Sequence, residues 1–190
     1  MTTLSRTMSR IARPKWLGIL AAAFLIAAVL NVGKPFGIAQ LNEITGDAGV
    51  LDEMFYSPDE GYAVLEAQKA EGRAFYRRLL LSRELIFPLI YRSFNAVLIA
   101  YLFGRWLPSA SRWRYLSLLP LVGMVADYCE NGLVLHMLGA YPERLDGVAA
   151  VASTATMIKG ASNYLDYALM VVGLVGVVVQ AVANRRRGER

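Results

Sequence analysis

Four mostly apolar stretches punctuate this chain: Trp16–Val32, Leu85–Trp106, Leu116–Leu138 and Tyr164–Ala183. Each approaches the roughly 20 residues that a helix needs to cross a bilayer core. The pattern predicts an all-α fold, a polytopic membrane four-helix bundle. Residues 1–190 then form a single integral membrane domain, with segment 33–83 as its longest extramembrane part. The first stretch follows Arg6, Arg10, Arg13 and Lys15 and so has the flank of a signal peptide. Its apolar core of about 17 residues exceeds the usual 7–15, and no A-x-A site follows, which favours an uncleaved helix.

Between the first two stretches, Ser57-Pro58-Asp59-Glu60 has the form of a helix start. Ser57 can cap, Pro58 suits the first helical position, and Glu60 can close a capping box. Tyr62, Leu65, Tyr76, Leu79 and Leu80 share a helical face that is interrupted at Lys69 and Gly72. Residues 58–83 therefore read as an additional amphipathic extracytoplasmic helix, lying on the membrane or capping the bundle. Gly139 and Tyr141-Pro142 end the third stretch. Residues 143–162 hold no full span, and Val148–Ile158 reads as a short surface or re-entrant helix.

The placement of cations predicts orientation. Arg6, Arg10, Arg13 and Lys15, then Arg105, Arg112 and Arg114, then Arg185, Arg186, Arg187 and Arg190 all fall on one side of four spans. The positive-inside rule makes that side cytoplasmic, with both termini there, as in a multi-pass protein of a bacterial inner membrane. Arg73, Arg77, Arg78 and Arg83 run against the rule. A pI near 9.5 is explained by these flanks, and no basic stripe with interleaved aromatics suggests nucleic acid. The expected partners are membrane lipids, together with a protein partner or a second copy of the chain. Of 190 residues 56% are hydrophobic, above the ~45–50% of soluble domains. The single cysteine, Cys129, rules out an intramolecular disulfide and reads as a small core residue.

The third stretch carries Asp127, Glu130 and Asn131, which share one helix face. Each ionised side chain near a helix centre in lipid costs roughly 2.5–3.5 kcal/mol on insertion scales, so these groups need partners, protons or water. His136 points about 180° away from Asp127. In the fourth stretch Lys159, Asp166, Gly173 and Gln180 repeat every seven residues, flanked by Thr156 and Asn163. The second stretch contributes Arg92 and Asn95, and Pro88 frees a carbonyl one turn earlier. In the four-span topology Arg92, Asn95, Asp127, Glu130, Asn131, Lys159, Asn163 and Asp166 form one polar layer in the outer half of the bilayer. Arg92 is expected to pair with Glu130 or Asp166.

The layer admits two functional readings. The first is a binding module or membrane-complex subunit. The second is a membrane enzyme acting on a lipid or hydrophobic small molecule, with Asp127 and Glu130 as acid/base candidates. A proton path would need polar residues below Asp127, and none lies between Leu118 and Asp127. One histidine in the whole chain and no Glu-x-x-His pair argue against a metal, and no cofactor is expected. Ser93, Ser153 and Thr154 lack an adjacent histidine for nucleophilic catalysis. Asp127-x-x-Glu130-Asn131, then Tyr141-Pro142, then Thr156-x-x-Lys159 resembles a pattern in small bacterial four-helix integral membrane proteins. That resemblance covers roughly residues 116–187 and brings no activity with it.

Overall fold

A computed structural model describes residues 12–188, apart from residues 36 and 53. Arg6, Arg10 and Arg190 of the orientation argument lie outside the described residues. The described chain is helical throughout, with no strand: α1 (Pro14–Val32), α2 (Ile38–Thr45), α3 (Pro58–Ala67), α4 (Lys69–Trp106), a 3-10 turn (Arg112–Leu118), α5 (Leu119–Ala140) and α6 (Asp146–Gly188). Four helical stretches are long and apolar enough to cross a membrane, those of α1, α4, the 3-10 turn with α5, and α6. Short connections make α4, α5 and α6 run up and down in turn. They pack mutually, α5 on α6 most extensively, while α1 lies chiefly against α4.

The ends of these helices follow from local chemistry. At the lower end Arg114 donates to the carbonyls of Leu107 (2.7 Å) and Gly104 (3.2 Å), satisfying groups that the end of α4 leaves unpaired. At the upper end α3 begins with the capping box that its sequence encodes. The Glu60 amide donates to Ser57 Oγ, and Ser57's amide and hydroxyl both donate to the Glu60 carboxylate. Those donors hold the Glu60 carboxyl below the usual carboxylate range.

Three expectations change. The 58–83 helix is two helices, because the chain passes through Lys69 in the left-handed region (φ 55°). The Gln68 side chain at the break is buried and donates to the Gly49 carbonyl (2.8 Å). Tyr62, Leu65, Tyr76, Leu79 and Leu80 are nonetheless all buried. They join Leu41, Leu51, Val134 and Met137 in a core that caps the upper end of the bundle. Second, residues 148–158 are not a separate surface or re-entrant helix. They are the first turns of one continuous α6, whose upper part packs Ala149 and Ala152 into the same core. Third, Cys129 is exposed on the outward face of α5, away from the face that carries Asp127 and Glu130.

The cap is stitched to the helix ends by polar contacts. Arg144, in the α5–α6 turn, pairs with Asp59 (2.5 Å) and Asp146 (3.0 Å), while the Leu145 amide donates to Tyr62 Oη (2.6 Å). Arg73 donates to the Leu65 carbonyl (2.8 Å) and sits 3.9 Å over the Tyr141 ring. This arginine of the counter-rule set is therefore committed within the cap.

Candidate functional site

The eight polar residues form two adjoining groups that share Asn95. The lower group is dry. Arg92 of α4 and Asp166 of α6 are both 0% exposed and pair at 3.1 Å. Asn95, one turn below Arg92, donates to the same Asp166 oxygen (3.2 Å). Arg92 also donates to Ser162 Oγ and to the Lys159 carbonyl, each at 3.2 Å. Helix α5 approaches this cluster through Gly123. A Cβ there would collide with the Arg92 guanidinium and with Ser162 Oγ. Glycine at this position is what lets three helix backbones close around the ion pair. Below the pair the bundle is sealed by apolar contacts, with Phe103 and Trp106 packed against Gly173 and Gly176 of α6. Gln180, the last member of the seven-residue stripe, lies beyond these contacts and is exposed.

The upper group faces a cavity of about 360 Å³. Asp127, Glu130 and Asn131 from α5 line it, with Lys159 and Asn163 from α6 and Asn95 from α4. Lys159 bridges Glu130 (2.6 Å) and Asp52 of the segment between α2 and α3. Asp127 accepts from Asn131 (3.4 Å), and the Tyr91 hydroxyl lies 3.4 Å from both Asp127 and Asn163. Asn131 donates as well to the Glu84 carbonyl (3.3 Å). That carbonyl is the one Pro88 deprives of its helical donor, so Asn131 of α5 repairs a defect that Pro88 makes in α4.

Aromatic side chains form one wall. Phe24 of α1 stacks on Phe94 at 5.3 Å and on Phe87 at 6.4 Å, and Phe87 lies 5.1 Å from Tyr91. Segment 50–52 roofs the cavity with Val50, Leu51 and Asp52. The roof is held by the Leu51 amide donating to Tyr76 Oη (3.3 Å) and by the Tyr56 amide donating to Ser153 Oγ (3.0 Å). Burial, reinforced by the Glu130 carboxylate, pushes the Tyr56 phenol up to about 12, so it stays neutral beside the site.

Asp52, Glu84, Tyr91, Asn31 and Ser162 complete the two groups beyond the eight residues that helical spacing brings forward. Ser162 and Glu84 carry a signal: Ser162 is one turn before Asp166, and Glu84, Pro88, Tyr91 and Asn95 fall on one face of α4. Asp52 carries none, since only the folded cap brings it across 107 residues to Lys159. His136 is exposed, off the Asp127 face as its spacing predicts. Among the described residues no cluster of histidine, cysteine and acidic side chains is arranged to hold a metal ion.

No known family model matches the chain, and no curated protein or solved structure matches it significantly.

The Asp52–Lys159 pair is the ionic tie between roof and cavity wall among the described residues. With Cys129→Ser as background and Asn163→Cys as reporter, adding Asp52→Ala is expected to raise labelling by a small water-soluble thiol reagent several-fold. Asp59→Ala, which breaks the outlying Arg144 pair instead, leaves the rate unchanged. Equal rates with and without Asp52 would show that this pair does not hold the roof.

Proposed function

We propose that the chain is a four-span integral membrane protein of a bacterial inner membrane, with both termini cytoplasmic, and that it works as a binding module for a small amphiphilic molecule. The observation that carries the binding reading is the roofed cavity of about 360 Å³ with carboxylates on one side and stacked aromatics on the other. Its volume falls within the roughly 300–1,000 Å³ of small-molecule sites, and its mixed apolar and polar lining is typical of them. The dry Arg92–Asp166 pair supports a structural role for the lower group, so the polar layer serves helix assembly below and ligand binding above.

The membrane reading is supported by the four long apolar helices and by their exposed Leu, Ile and Val side chains, such as Leu25, Ile26 and Val29 on α1 and Val171, Val175 and Val179 on α6. Such contiguous apolar surface on a soluble monomer would be an aggregation hazard. The orientation rests on Arg105, Arg112 and Arg114 in one short loop and on Arg185–Arg187 at the same end. The apolar seal of Phe103 and Trp106 below the cavity favours a binding site over a proton or ion path.

A second reading is a membrane enzyme on a lipid or hydrophobic small molecule. It is favoured by one feature: Asp127 and Glu130 reach the same cavity, with the Tyr91 hydroxyl 3.4 Å from Asp127. A carboxyl and a neighbouring carboxylate in low dielectric are suited to proton transfer.

Two measurements test this reading. Gentle purification followed by native mass spectrometry is expected to find a stoichiometric small amphiphile. Asp127→Asn with Glu130→Gln is expected to abolish its retention while the protein remains folded. Retention of a protein subunit in place of any small molecule would favour the complex-subunit role, and a product-related pair of bound molecules would favour the enzyme. For topology, a cysteine at Asp47 is expected to react with a membrane-impermeant maleimide in intact cells, and one at Ser109 only after permeabilisation. The reverse pattern overturns the orientation.

A further inference from the structure

The charges lining the cavity do not balance. Among the described residues four carboxyl groups face it, those of Asp52, Glu84, Asp127 and Glu130, against one ammonium, that of Lys159. Lys159 is already committed to Asp52 and Glu130. Arg92, in the group below, is held by Asp166. Asp127 and Glu84 are left with neutral donors: Asn131 and the Tyr91 hydroxyl at Asp127, and the Asn31 side-chain amide at Glu84. Among the described residues, two carboxylates with no cation at ion-pair distance therefore face one half-open cavity.

A second observation concerns hydrogen bonding and not charge. Asn31, near the end of α1, lines the cavity and is 8% exposed. Its Oδ1 has no hydrogen-bond partner among the described residues. A buried acceptor left unpaired is costly, so the site is incomplete until a donor arrives. The lining thus lacks two things, a cation paired with Asp127 or Glu84 and an N–H or O–H donor for Asn31 Oδ1. The aromatic wall suits the same species, because the faces of Phe and Tyr rings attract cations.

Resting on the binding-module reading above, we infer that the ligand is a protonated alkylamine, whose ammonium sits between Asp127 and Glu84 and donates to Asn31 Oδ1. Its apolar tail lies along Phe24, Phe94 and Met170. Helices α1 and α6 both line that side of the cavity without packing extensively on each other, which leaves a lateral way in for an amphiphile.

The test uses the full chain in lipid nanodiscs at neutral pH, with four probes of equal chain length: decylamine, decyltrimethylammonium, decanol and decanoate. Decylamine is expected to bind and to raise the unfolding temperature, with decyltrimethylammonium about tenfold weaker for want of an N–H donor. Decanol and decanoate are expected to give no saturable binding. Glu84→Gln with Asp127→Asn, a near-isosteric change checked by its own melting curve, is expected to weaken decylamine at least about tenfold. Asn31→Leu is expected to erase the preference for decylamine over the trimethyl probe. Decanol or decanoate binding as tightly as decylamine would overturn the amine assignment while leaving a binding module in place. Unchanged decylamine affinity in the double carboxamide variant would do the same. No binding of any probe, with no small molecule retained on purification, would overturn the binding reading itself.

Discussion

The ion pair between Arg92 and Asp166 is the constraint on which the rest of the arrangement depends. Both side chains are fully buried between α4 and α6. A buried pair is better tolerated the more of its remaining polar atoms are also served. Here Asn95, Ser162 and the Lys159 carbonyl serve part of them, while Arg92 Nε and Asp166 Oδ1 have no hydrogen-bond partner among the described residues. Each of these partners demands a register: α4 must present positions 92 and 95 together, and α6 must present 159, 162 and 166. The pair thereby fixes the axial position of two helices, and Gly123 fixes how near the third can come. Apolar contacts alone would fix the register of such uniformly apolar helices only weakly, because they are non-directional.

Fixing that register has a consequence one turn higher. With Asp166 and Arg92 paired to each other, Lys159 turns upward to Glu130 and Asp52. Asn131 is held against the Glu84 carbonyl that Pro88 exposes, and from there it reaches Asp127. The cavity is thus bounded by groups whose positions are set by the dry pair below and by the cap above. The aromatic wall from α1 and α4 closes the remaining side. Among the described residues that line it, carboxyl groups outnumber cations.

Much of this is legible in the sequence because a few residue types are costly in an apolar span. Helical spacing and depth alone group Asp127, Glu130, Arg92 and Asp166, and of the two partners expected for Arg92 it is Asp166 that pairs with it. The capping box at Ser57 is equally plain, since it is a local hydrogen-bond pattern. What spacing does not convey is long-range. Asp52 sits in an irregular segment and acquires meaning only when the cap folds over α6. The continuity of α6 through residues 146–163 is hidden because Ser153, Thr156, Lys159 and Asn163 lower its apolar character. Those residues face neighbours in the cap, the cavity or the dry group. Cys129 misleads for the converse reason: a small residue beside three polar ones suggests the interior, but the helix turns it outward. The break at Lys69 depends on a backbone conformation that no residue there announces.

The central claim is that Arg92 and Asp166 form one energetic unit that holds the bundle in register. A double-mutant cycle of unfolding free energy in mixed micelles tests it most directly, using Arg92→Met, Asp166→Leu and the two together. Each single change leaves a buried charge without its partner and is expected to cost about 3–5 kcal/mol, while the double change costs less than either alone. Losses that simply add would contradict the account, since they would mean that the two residues stabilise the fold independently.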